Sequence, residues 1–305
     1  MSKPLKKRIK NNLIYYVILV FIRVMQSISR HHAFILMESA AKLAYLLAAG
    51  ERKKTIRHLT IAFGAEKSPA QIKKMAEQVF INLARNAVDA IRLPLVINGD
   101  LNNLVKANGL ENLERALAKG KGVMGLTGHI GNWELMASYL ANNGFPIWAV
   151  GAKLYDSRLN DLIAQQRNSA GYFNIERGKA TRQMFRALYK GDVVGVLIDQ
   201  DTRVDGVFVD FFGRKAFTPV GPVSLALKTG CALVPMAIHI EEDYTHVLTV
   251  KPEIEFERTG DIEKDRLVNT EKCSKAIEAF IREQPTQWVW MHERWKTRPE
   301  GEKDI

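Results

Sequence analysis

At 305 residues, 47% hydrophobic and 25% charged, the chain has the size and composition of one large globular domain or two small ones, which excludes a disordered, collagen-like or polytopic membrane protein. Two cysteines exclude a disulfide scaffold and a four-cysteine metal site, and point to a reducing compartment. Of the net charge of +11, residues 1–60 hold +10 (twelve Lys/Arg against Glu38 and Glu51), so no basic stripe crosses the body to meet nucleic acid.

Residues 13–22, Leu-Ile-Tyr-Tyr-Val-Ile-Leu-Val-Phe-Ile, carry no charged or amide side chain, and Arg23-Val24-Met25 extend the run. A span of the bilayer takes about 20 apolar residues, so this length sits between a marginal span and an interfacial helix. Lys3, Lys6, Lys7, Arg8 and Lys10 precede it and no small-residue cleavage site follows, the pattern of an uncleaved anchor. A second apolar segment covers 33–50, where Glu38 and Lys42 are spaced to pair on one helix face. Residues 1–50 therefore read as basic N-terminal membrane-anchoring helices at the cytoplasmic face, where each basic residue near anionic lipid contributes roughly 1 kcal/mol. The alternative is a pair of core helices with a solvated basic tail.

The pattern predicts a helix over 69–92, capped by Ser68 with Pro69 in its first turn and one apolar face through Ile72, Met75, Val79, Leu83 and Ala87. From residue 110 helices and strands alternate. Helices are expected at 111–118, 132–141, 157–170, 179–189, 221–228 and 262–283. Strands are expected at 122–126, 147–150, 193–198, 207–212, 232–240, 246–250 and 254–257. Such alternation implies βαβ units: an α/β fold with a mainly parallel central sheet flanked by helices, forming a domain over 51–305 behind the N-terminal helical membrane anchor.

Ligands of open α/β sheets sit beyond the carboxyl ends of the strands. Two such ends carry polar loops: Thr127-Gly128-His129-Ile130-Gly131-Asn132-Trp133-Glu134 and Asp199-Gln200-Asp201. His129 is the one histidine of seven followed five residues later by a carboxylate. That spacing lets Glu134 turn back onto one ring nitrogen and fix the tautomer, leaving the other to take a proton from a hydroxyl. This is the base half of a serine-hydrolase triad, with the nucleophile supplied by the substrate. The alternative is a turn histidine at a helix start.

Arg158, Arg167, Arg177 and Arg182 lie between these loops and are candidates to grip an oxyanion or a phosphate, or to form a solvated helix face. Asp199 is expected to pair with an arginine, although Asp199 and Asp201 are also possible Mg²⁺ ligands. Phe208 and Phe211-Phe212-Gly213 are read either as the lining of an acyl-chain groove or as core. Trp288, Trp290, His292, Arg294 and Trp295 are read as a headgroup-interface cluster or a cap on the sheet, and Cys231 and Cys273 as inert core thiols.

The run Gly128-His129-Ile130-Gly131-Asn132-Trp133-Glu134 resembles the H-x4-[D/E] block of glycerolipid-type acyltransferases, in the form found in the late acyltransferases of lipid A biosynthesis. Asp199-Gln200-Asp201, Phe211-Phe212-Gly213 with Ala216, Thr218-Pro219, Val234-Pro235 and Trp288-Val289-Trp290-Met291-His292-Glu293-Arg294 follow in that family's order. Arg52, Arg57, Leu59 and Ala62-Phe63 resemble its early segment, with His58 in place of the usual Asn. The resemblance implies His129 as base and Glu134 as its partner. It implies Arg167, Asp199 and Arg158, with Asn132, as oxyanion or substrate contacts. It further implies acyl carrier protein as thioester co-substrate, a lipid A precursor of the Kdo-lipid IVA type as acceptor, the cytoplasmic face of the inner membrane as location, and no metal or cofactor. The other readings are a different glycolipid or aminolipid acceptor, a metal-dependent hydrolase built on His129, Asp199 and Asp201, and a lipid-binding scaffold without activity.

Overall fold

Four helices precede the first strand: α1 (Leu5–Ser27), α2 (Arg30–Leu47), α3 (Ala49–Phe63) and α4 (Pro69–Ile91). The computed structural model describes residues 5–99, 101–151, 154, 156–176 and 180–302. Arg177, Lys3 and the first residue of the helix expected at 179–189 lie outside them. Ser68 closes a reciprocal capping box with Gln71 at the start of α4, and α4 buries Ile72, Ala76, Val79, Phe80 and Val88. Glu38 does not pair with Lys42. It reaches across to Arg85 of α4 (2.7 Å) and accepts from Tyr244 (3.0 Å), a tie between elements instead of along one helix. Met25, Ala33 and Phe34 are buried with Val88 and Ile240, so α1 and α2 share a small core with the body.

Beyond α4 come α5 (Leu93–Ile97), α6 (Leu101–Leu104), β1 (Val105–Asn108), α7 (Leu110–Leu117), β2 (Val123–Thr127), α8 (Trp133–Asn142) and β3 (Ile147–Gly151). Next are α9 (Ser157–Ser169), β4 (Phe173–Glu176), α10 (Ala180–Tyr189), β5 (Val193–Leu197), β6 (Gly206–Phe211) and β7 (Arg214–Pro219). The chain closes with α11 (Gly221–Thr229), β8 (Ala232–Ile240), β9 (His246–Val250) and α12 (Ile262–Glu283). Seven strands form one sheet in the order β1-β9-β8-β2-β5-β3-β4, parallel except where β9 meets β8. This is the expected α/β architecture, and β2 and β8 are buried along nearly their whole length, as interior strands of a covered parallel sheet must be.

Two expected strands differ. Residues 206–211 pair only with β7, in a separate hairpin whose two-residue turn, Phe212-Gly213, has both φ angles positive (55° and 73°). Residues 254–257 run beside β8 without forming a strand. Ile254 N–H reaches the Leu233 carbonyl, but Glu257 N–H is taken by the Asn269 side chain and the Glu255 carbonyl by Lys272. Elements α3, α5, α6, β1, β4 and β7 go beyond those the pattern predicts.

Candidate active site

The central strands β2 and β5 are neighbours in register, with Thr127 opposite Leu197, so the loops that leave their carboxyl ends run side by side. That adjacency decides the partner of His129. Its Nδ1 lies 2.8 Å from Asp199 Oδ1, and its backbone N–H donates to Asp199 Oδ2 at 2.6 Å. Trp288 Nε1 donates to the same Oδ2 at 2.6 Å. The Asp199 side chain is wholly buried, yet these donors and the imidazole hold its carboxyl well below the usual carboxylate range against the opposing effect of burial. Gly128 permits the contact, since a Cβ there would stand 2.9 Å from Asp199 Oδ2. The expectation of an arginine partner for Asp199 is therefore corrected: it is bound to the imidazole and the indole.

Glu134 likewise does not turn back to His129. Its carboxylate is gripped by Arg167 through Nε (2.9 Å) and Nη2, and accepts from the Tyr172 hydroxyl (2.5 Å). Burial and the Glu134 charge push the Tyr172 phenol far up, which keeps it a donor. Asn174 takes Arg167 Nη1 at 2.5 Å, so this guanidinium is a fixed cation. The reason is geometric: Glu134 sits in the first turn of α8, facing α9 and β4, while His129 precedes Gly131, whose φ of +59° turns the chain. A Cβ at Gly131 would fall 1.9 Å from the Ile238 carbonyl oxygen.

Asn132, expected near substrate, is instead buried as the N-cap of α8; its Oδ1 accepts from Leu135 N–H (3.0 Å) and its Nδ2 donates to the Asn86 carbonyl (3.1 Å). Arg158 is held against the first helix. It pairs with Asp156, bonds the Asn12 side chain (2.9 Å) and lies over the Tyr15 ring at 4.2 Å, which ties α9 to α1. Arg182 is exposed on α10. Asp201 is occupied by Thr297, through N–H and hydroxyl, and does not converge with Asp199.

His129 opens into a cavity of about 600 Å³, in the range of small-molecule sites. Val150, Met184, Phe185, Val196, Val204 and Leu225 give it an apolar wall, and Arg167 and Gln200 contribute polar groups. Phe211 and Phe212 do not line it; both are buried in the core against Trp288 and Trp290. Trp288, Trp290, Arg294 and Trp295 are buried as well, so this segment caps the sheet. Trp288 forms a β-bridge with Ile130, and Val289 N–H donates to the His129 carbonyl. Burial raises both thiols, that of Cys273 to about 12, which leaves them unreactive.

Two residues that the sequence placed in motifs without a role take one here. Gln200 Nε2 lies 3.2 Å from His129 Nε2 and 2.6 Å from His292 Nε2. His58 Nδ1 donates to the Trp290 carbonyl (2.8 Å) and its Nε2 accepts from Arg57, and burial lowers its pKa. Their signal is contact across 70 residues or more, which spacing along the chain does not carry.

A buried carboxylate aiming an imidazole, at the carboxyl ends of adjacent parallel strands and open to an apolar cavity, defines an α/β protein equipped to draw a proton from a hydroxyl beside an apolar ligand. The chain belongs to the bacterial lipid A biosynthesis acyltransferase family, whose sequence profile matches residues 3–297. It is similar to a phosphatidylinositol mannoside acyltransferase of Mycolicibacterium smegmatis, at 27% identity over 82% of each chain. Similarity also extends to two Escherichia coli proteins: the lipid A biosynthesis lauroyltransferase (26% identity, 85% of this chain and 84% of that one) and the palmitoleoyltransferase (29%, 65% and 63%).

Proposed function

We propose that this glycolipid acyltransferase moves a fatty acyl chain from the thioester of acyl carrier protein to a hydroxyl of a lipid A precursor of the Kdo-lipid IVA type, at the cytoplasmic face of the inner membrane. The observation that carries the reading is the His129–Asp199 pair at the mouth of the apolar cavity. Asp199 keeps the proton of the neutral ring on Nδ1, so Nε2 presents a lone pair. That nitrogen takes the proton of the acceptor hydroxyl while its oxygen attacks the thioester carbonyl. The tetrahedral intermediate then expels the thiolate, which leaves with the proton from Nε2. Arg167, braced by Glu134 and Asn174, sets a positive charge on the cavity wall for acidic groups of the substrate. The apolar wall takes the acyl chain.

Membrane docking is supported by the surface of the first two helices. Leu13, Val17, Val20, Leu46 and Leu47 are each more than half exposed, apolar surface of the kind that marks a docking site. Among the described residues no single helix is long and apolar enough to cross a membrane, while α2 and α3, bent by 89°, pass the length and composition test only together. The exposed apolar side chains of α1 and α2 support an interfacial dock.

Transfer of a labelled acyl group from acyl carrier protein to Kdo-lipid IVA tests the assignment, with His129→Ala beside the wild type. Loss of transfer in the variant is expected, and undiminished transfer rules out the base. A second acceptor, a mannosylated phosphatidylinositol, belongs in the same assay because of the mycobacterial relative.

A further inference from the structure

The Gln200 carboxamide stands between two imidazoles, and its orientation follows from their chemistry. His129 Nδ1 faces a carboxylate and so carries the ring's proton, which leaves Nε2 as a bare acceptor. A carboxamide oxygen at 3.2 Å from that nitrogen would oppose two lone pairs, so the NH₂ end faces the ring. The same NH₂ is 2.6 Å from His292 Nε2, and its two hydrogens serve one imidazole each. His292 is neutral and can receive it: burial pushes its pKa down to about 4, with Lys54 adding to this and Asp199 opposing.

Several other donors near His129 are engaged. The backbone N–H of His129 goes to Asp199, that of Ile130 to the Gly128 carbonyl and that of Gly131 to the Gln287 carbonyl. Arg167 gives Nε and one hydrogen of Nη2 to Glu134 and one of Nη1 to Asn174, so its remaining hydrogens serve as the fixed cation of the wall. Gln200 lines the same cavity as the base, and among the described residues its nitrogen is held by the two rings alone.

We propose that Gln200 is both the lock on the resting base and the oxyanion donor of the reaction. At rest its amide covers His129 Nε2 and holds the ring in the Nδ1–H form. When the acceptor hydroxyl takes that place, the freed N–H turns to the acyl carbonyl oxygen. The acceptor O–H proton passes to Nε2, the new C–O bond forms, and the carbonyl electron pair moves to the oxygen that Gln200 now hydrogen-bonds. Collapse restores the carbonyl, breaks the C–S bond and returns the proton to the departing thiolate. The oxyanion half rests on the acyl-transfer reading; the lock does not.

Gln200→Ala, Gln200→Asn and Gln200→Glu test both halves. Removing one preorganised oxyanion donor costs about 10²–10³-fold in kcat, so Gln200→Ala is expected to lose that much with KM within about threefold of wild type. Gln200→Glu keeps the shape but replaces donor by acceptor, and is expected to be no better than Gln200→Ala, whereas a packing role would be rescued by it. Gln200→Asn retains the amide at shorter reach and falls between. The lock is read without substrate, by the rate at which diethyl pyrocarbonate modifies His129 and His292 in the full-length protein, with sites assigned by mass spectrometry. Both are expected to react faster in Gln200→Ala. Unchanged rates at both histidines overturn the lock, and kcat within threefold of wild type in Gln200→Ala overturns the oxyanion role. If the wild type itself transfers no acyl group, the acyl-transfer reading and the oxyanion role fail together, and the modification rates decide the lock alone.

Discussion

Asp199 concentrates three donors on one buried carboxylate: the His129 ring, the His129 backbone and the Trp288 indole. Replacing it by Asn offers the ring an amide in place of an obligate acceptor and releases the tautomer. Asp199→Asn is expected to lower kcat by about 10³-fold or more, measured as labelled acyl transfer, with the circular dichroism spectrum retained. Glu134 predicts a different signature. Breaking a largely buried ion pair from one side strands the other charge, so Glu134→Gln is expected to lower stability in urea by about 3 kcal/mol, less where solvent reaches Arg167. The double variant Glu134→Gln/Arg167→Met recovers much of that stability. If Glu134 instead oriented the base, the single variant would lose activity at unchanged stability.

At the level of elements, the contact of α9 with α1 runs through Arg158, its hydrogen bond to Asn12 and its stacking on Tyr15. Arg158→Ala is expected to leave His129 chemistry intact and to expose the α1–α2 segment to limited proteolysis, seen as faster cleavage ahead of α3. The elements themselves were largely legible in the sequence. Ser68-Pro69 marked the start of α4, and β8 and β9 were bounded by their apolar patterns at the residues where they begin and end. The loops that bear His129 and Asp199 were legible too, as polar clusters after buried strands. What the chain order does not reveal is which strands are neighbours. The loop after β5 lies beside the loop after β2 because a sheet order, set by crossovers, places those strands together. Proximity in sequence therefore suggested Glu134 for a role that distance in space gives to Asp199. Weak strands such as β4, four residues long with an exposed Phe173, carry too little periodicity to be seen.

For the molecule as a whole, His292 makes stability depend on pH. An unfolded chain protonates this histidine near 6.5, the folded one only near 4, so between those values the unfolded state binds the extra proton. Stability is expected to fall as pH drops from 6.5 toward 4, and Asp199, whose folded pKa is depressed, withdraws its own contribution as pH falls below about 4. Urea titrations at stepped pH check this, and His292→Gln flattens the upper part of the slope. The exposed faces of α1 and α2 give a second whole-molecule prediction. The protein is expected to float with vesicles rich in anionic lipid, less so in high salt, and to remain in solution when Leu13, Val17 and Val20 are changed to Glu.

The bridge from Trp288 to Asp199, and from Val289 to the His129 carbonyl, also bears on the order in which a ribosome delivers the chain. Helices α1 and α2 emerge some 240 residues before Trp288, on the order of ten to fifty seconds at ordinary rates of translation. On the proposed membrane dock, the first helices of a nascent chain meet the bilayer while its histidine still lacks the indole that clamps the aspartate. A product cut short before Trp288 is therefore expected to transfer no acyl group, for want of the indole on Asp199.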